Sequence, residues 1–166
     1  MNRMQKLGGL LAGMALTALA QAEPLNIEGI GLSRDISCKG QDVNISGNAN
    51  VIHLKGDCGA VEVSGSEHKV TLGTAKSLSV SGAEHEVVAE RVNALSVDTL
   101  NNQVRTAVVA GEQSTPITVA GTGQKLDLRL EGETRLDVSG IEQQVRWSSD
   151  EPQVQLSGAD NKVERQ

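Results

Sequence analysis

The chain is predicted to fold as a short β-solenoid of about seven to eight coils with a 17–19 residue repeat. Two observations carry this. A twelve-residue sentence, apolar-x-apolar-Ser-Gly followed by His-x-Val, is written at Val61–Leu72 and again at Leu78–Ala89. Scored by offset from its first apolar residue, it recurs at Val43, Val61, Leu78, Leu95, Ile117, Leu136 and Val154, with spacings of 18, 17, 17, 22, 19 and 18. Sustained self-similarity at such a period marks a repeat architecture.

The elements follow in order along each copy. Offsets 0 and 2 hold Val43/Ile45, Val61/Val63, Leu78/Val80, Leu95/Val97, Ile117/Val119, Leu136/Val138 and Val154/Leu156, all apolar. Offset 9 is apolar throughout, from Ile52 to Val163, and offset 11 fails only at Thr106 and Arg165. A spacing of two is the strand period, so each copy reads as two very short strands. Offset 4 is Gly in six of these seven copies, the exception being Thr99. Such a Gly marks a sharp corner with positive φ. Offset 7 is polar in all seven: Asn50, His68, His85, Asn102, Gln124, Gln143 and Asn161. A hydrogen-bonding side chain belongs there, facing a turn backbone or stacked on its equivalents.

An antiparallel meander folded into a sandwich or barrel is the alternative. A solenoid keeps every residue beside its own equivalent, which the strict matching of offsets favours. Residues 25–42 read as a degenerate N-terminal cap: Leu25, Ile27 and Gly29 fit, whereas Leu32 takes the polar offset and Arg34 an apolar one. No comparable cap follows Val163, which leaves a C-terminal edge for self-association. The 22-residue spacing places an insertion at Arg105–Pro116, the one irregular surface feature and a contact-loop candidate.

Residues 1–22 read as a secretory signal peptide: Arg3 and Lys6, an apolar run from Leu7 to Leu19, then Ala20-Gln21-Ala22. Residues 23–166 then form one β-repeat domain, exported to the periplasm or medium of a bacterium. No Cys stands at the cleavage site, so no lipid anchor is expected, and no later apolar run suggests a membrane span.

A formal charge of −6 argues against nucleic acid as partner. One Trp, no Phe and no Tyr leave no aromatic platforms for sugars or bases.

Cys38 and Cys58 are the only cysteines, and exported context makes a disulfide the default. They lie in the same connection one coil apart, within the Cα separation a bridge requires. His68 and His85 would stack, each preceded by a carboxylate, Glu67 and Glu84. Such a group could bind zinc or copper. Asn and Gln at the same offset elsewhere favour a hydrogen-bonding role instead, so no cofactor is expected. His53, at offset 10, should face outward. The acids Asp98, Asp127, Glu131, Asp137 and Asp150 fall beside strands, as on a solvated face. No nucleophile elbow, phosphate loop or metalloprotease motif is present, so no catalytic residues are assigned.

Cys38, Val43-Asn44-Ile45-Ser46-Gly47, Asn50, Cys58, Val61-Glu62-Val63-Ser64-Gly65, His68 and Val70, behind a signal peptide, resemble the bacterial domain of unknown function 3060 over about residues 36–106. The resemblance implies an exported β-repeat domain and carries no functional residues with it. The expectation is a non-catalytic exported protein with a structural or binding role in the cell envelope. Glycan binding or processing, and metal binding through His68 and His85, are the alternatives.

Overall fold

The computed structural model describes residues 23–166, so the expected signal peptide lies outside the described residues. Fourteen strands follow in sequence: β1 Leu25–Ile30, β2 Ser33–Ser37, β3 Val43–Asn48, β4 Val51–Val63, β5 Lys69–Val80, β6 Glu86–Val92, β7 Leu95–Val97, β8 Gln103–Val109, β9 Thr115–Val119, β10 Lys125–Glu131, β11 Thr134–Val138, β12 Gln144–Ser149, β13 Gln153–Leu156 and β14 Lys162–Arg165. Every pairing is parallel, and each strand bonds to its own equivalents one coil away. The result is a β-solenoid of about eight turns, because only stacking like on like brings each apolar column into one continuous core.

The register keeps the sequence offsets. Val43 faces Val61, Val61 faces Leu78, Leu95 faces Ile117 and Ile117 faces Leu136. Offsets 0, 2, 9 and 11 point inward and are buried from Val43 to Trp147. Thr106, polar at a core offset, is also inside, and its hydroxyl donates to the Ala107 carbonyl at 3.2 Å. Arg165 occupies the same column at the C-terminal end. It lies outside the core, its guanidinium 5.3 Å over the Trp147 ring, so its charge stays in water while its plane covers the last aromatic face.

The degenerate first coil is a true coil. Leu25–Ile30 and Ser33–Ser37 pair in full register with β3 and β4. Arg34 sits opposite core residue Ile52, yet is exposed, as the outermost layer allows.

Two expectations need correction. The strands are not all very short: β4 and β5 run 13 and 12 residues, through the connection between coils. The segments read as spacers pair too, Asp57–Cys58 with Thr74–Ala75. Gly56 adopts a φ of 85°, and a register shift there absorbs the length difference between the coils. The insertion is also smaller than Arg105–Pro116. Residues 105–109 extend β8, which pairs with β10 as far as Val109–Glu131, so only 110–114 leave the strands.

Left-handed backbone recurs at offset 4, as expected, and also at offset 6. Ala49, Glu67, Glu84, Asn101, Glu142 and Asp160 all have φ between 52° and 59°. Each corner thus turns on two positive-φ residues flanking one extended bridge residue such as Ser66. Thr99 holds the glycine offset at φ 82°, costly for a β-branched side chain. Thr99→Gly is expected to stabilise the protein by about 1 kcal/mol. The relief of about 1–2 kcal/mol is partly offset by about 0.5–1 kcal/mol of added glycine entropy in the unfolded chain. Urea unfolding followed at Trp147 measures it.

Candidate functional site

The polar residues at offset 7 form a ladder through the whole stack. From Leu32 to Gln143, each backbone N–H in the column donates to the side-chain acceptor of the next coil. Leu32 N–H donates to Asn50 Oδ1, Asn50 N–H to His68 Nδ1, His68 N–H to His85 Nδ1 and His85 N–H to Asn102 Oδ1, at 2.9–3.1 Å. Gln124, Gln143 and Asn161 continue the series. Each side chain then donates to the carbonyl four residues back in its own coil, from Ser46 to Ser157, at 2.7–3.2 Å. A side chain with one acceptor and one donor satisfies both demands. Asn, Gln and the Nε2–H tautomer of His all qualify, which explains why they interchange.

His68 and His85 do stack, as expected, with ring centroids 4.9 Å apart and planes within 4°. Glu67 and Glu84 do not join them. In each pair the imidazole is buried and the carboxylate is exposed, because adjacent residues at the corner point to opposite sides. Both nitrogens of each ring are engaged with backbone, Nδ1 as acceptor and Nε2 toward Ser64 O or Ser81 O at 2.9 Å. A metal ion there would have to displace ladder hydrogen bonds. Among the described residues no group of three or more His, Cys, Asp or Glu is placed to hold a metal.

Burial pushes the pKa of both imidazoles below the ordinary histidine value, against the opposing pull of the Ser64 and Ser81 carbonyls. Charge on His68 lowers His85 further. Protonation would place an N–H on Nδ1 against a backbone N–H donor. The unfolded chain takes up protons near pH 6.5 while the folded chain resists them. The stabilisation is therefore whole above about pH 6.5 and is lost as pH falls through the lowered folded values. A His68→Asn, His85→Asn double variant is expected to keep its fold and to show a flatter dependence of Tm on pH below about 6.5.

The disulfide joins Cys38 and Cys58, whose Cα atoms lie 4.9 Å apart. Both are buried, and they tie the first coil to the second. His53 faces outward, as expected.

The acids read as a solvated face each have a structural partner. Asp98 accepts from the Thr99 hydroxyl, and Asp150 accepts from Gly132 N–H at 2.7 Å. Arg129 meets Glu131 at 3.2 Å, and Arg135 meets Asp137 at 3.1 Å. Asp127 lies between two guanidiniums, Arg105 at 3.7 Å and Arg146 at 3.1 Å.

Asp127 marks the surface that sequence reasoning missed. The outward residues of β6, β8, β10, β12 and β14 line a shallow groove of about 440 Å³ that runs along the stack. One column reads Glu86, Gln103, Lys125, Gln144 and Lys162; the other reads Val88, Arg105, Asp127, Arg146 and Glu164. The columns are offsets 8 and 10, visible in the sequence once outward positions are aligned as inward ones were.

At the C-terminal end, Val154 and Leu156 are exposed. A second copy's first coil laid there in register would put Leu32 over Asn161 and Arg34 over Val163. Neither continues the column, since Leu32 offers Asn161 N–H no acceptor and Arg34 brings charge onto an apolar site.

Residues 45–114 match the family model described as "Protein of unknown function (DUF3060)". Over this segment the chain is similar to the DUF3060 family. The DUF3060 segment holds both His-bearing corners, the ladder from Asn50 to Asn102, and Cys58 of the disulfide. No curated protein and no solved structure matches the chain. No helix among the described residues is long and apolar enough to cross a membrane.

Proposed function

We propose that the protein is a non-catalytic, exported module of the bacterial cell envelope whose work is binding along its outer strand faces. The observation that carries this reading is the extended groove along β6, β8, β10, β12 and β14, lined by polar and charged side chains on five successive coils. Its carboxylates support the non-catalytic part. Asp127 is held by two guanidiniums, Glu131 and Asp137 each meet an arginine, and Asp150 accepts from a backbone N–H, so each of these acids has a structural partner. Export is supported by the Arg3–Ala22 pattern and by a disulfide buried in the first two coils.

Fractionation of the producing cells, followed by incubation of the purified protein with isolated envelopes, tests this. The expected result is recovery in the exported or envelope fraction and saturable co-sedimentation without release of soluble fragments. Recovery in the cytoplasm would sink the export part. Turnover that releases fragments would sink the non-catalytic part.

A further inference from the structure

The groove also indicates what kind of molecule it takes. The chain carries a formal charge of −6, yet the groove gathers four cations, Arg105, Lys125, Arg146 and Lys162. Only three carboxylates stand among them, Glu86, Asp127 and Glu164. The strip therefore carries a net charge of about +1 on a chain whose formal charge is −6. The pairing sharpens this. Asp127 is shared between Arg105 and Arg146, so one carboxylate serves two guanidiniums, while Lys162 is paired with Glu164 at 2.8 Å. Lys125 has no carboxylate within 4.0 Å among the described residues and stands between the amides of Gln103 and Gln144 on adjacent coils.

Neighbouring coils are about 4.8 Å apart, so these donors recur at that interval along the axis. Amides that donate and accept, set beside cations at a regular step, suit a linear polymer that carries hydroxyls and one carboxylate per unit. A single-stranded nucleic acid would need stacking platforms and a duplex more positive charge, whereas an acidic sugar can be held by its carboxylate and hydroxyls without the aromatic platforms the strip lacks.

We propose that this strip binds one extended acidic polysaccharide lying along the solenoid axis. Its carboxylates meet Lys125 and the Arg105 and Arg146 guanidiniums, and its hydroxyls meet Gln103 and Gln144. Each contact is exposed and weak alone, so affinity comes from repetition along the chain. The proposal deepens the envelope-binding reading and rests on it.

The test is titration of the purified protein with polygalacturonate, with neutral dextran and with polyglutamate as comparisons. Saturable binding to polygalacturonate that weakens as salt is raised is expected. Lys125→Gln with Arg146→Gln is expected to weaken it about tenfold, and Glu86→Gln to strengthen it. All three side chains are exposed, and Trp147 fluorescence reports whether each variant is folded. Equal affinity for dextran or for polyglutamate overturns the proposal, as does binding unchanged in the variants. Absence of polygalacturonate binding while the protein still sediments with envelopes overturns the strip and leaves the envelope reading standing.

Discussion

Gly65→Ala is expected to cost about 2–5 kcal/mol, a large share of the stability of an ordinary domain. The glycine turns the corner at φ 107°, and a Cβ there would run into the carbonyl of Gly47, the same residue one coil earlier. Left-handed backbone costs about 1–2 kcal/mol for an L-residue, and overpacking about 1–3 kcal/mol more. Relief by backbone movement is poor, because Gly47, Gly65 and Gly82 touch in series, so a shift at one is passed to the next. Gly111→Ala is the control. Nothing lies within 4 Å of its Cβ position, and a change within about 0.5 kcal/mol is expected. Urea unfolding of both variants, followed by circular dichroism and at Trp147, decides this.

Replacing both cysteines by alanine is expected to cost about 3 kcal/mol in the loop-entropy account, for a bridge spanning 20 residues. In a stack where each coil touches only its neighbours, the loss should fall unevenly. The first coil, residues 25–42, has one neighbour among the described residues and carries Leu32 and Arg34 where the other coils have a ladder residue and an apolar residue. Hydrogen exchange should therefore quicken first in β1 and β2, while β8 to β12 stay protected. Uniform quickening across all coils would mean that the bridge acts on the whole domain.

The inward architecture was legible because it is redundant. Seven copies place Val, Leu or Ile at offsets 0, 2 and 9, and a solenoid is the arrangement that keeps such columns aligned. The ladder was half legible. A polar column at offset 7 is plain in the sequence, and the His-to-Asn and His-to-Gln exchange argued for hydrogen bonding over ligation. That each side chain bridges two coils needed the register.

Other features left no usable signal. Glu67, Glu84 and Glu142 adopt left-handed backbone without being Gly or Asn, since the neighbouring coils dictate the corner whatever residue stands there. The pairing through Asp57 and Cys58 was hidden because Gly56 and Gly59 look like loop punctuation. The charged strip does leave a signal, at offsets 8 and 10. Taken singly, the outward residues look like a solvated face and Asp127 like an isolated acid. Its meaning lies in the columns that place Arg105 and Arg146 on either side of it.

The residues most suggestive of chemistry, His68 and His85, are rungs of a structural ladder, and binding is proposed for the outer strip instead. Nitrogen-detected NMR of the two imidazoles at pH 7.5 tests this most directly. Both rings are expected as neutral Nε2–H tautomers, with Nδ1 shifts typical of a hydrogen-bonded acceptor and no response to added zinc. An Nδ1–H tautomer, or a zinc-dependent shift at either ring, would contradict the account.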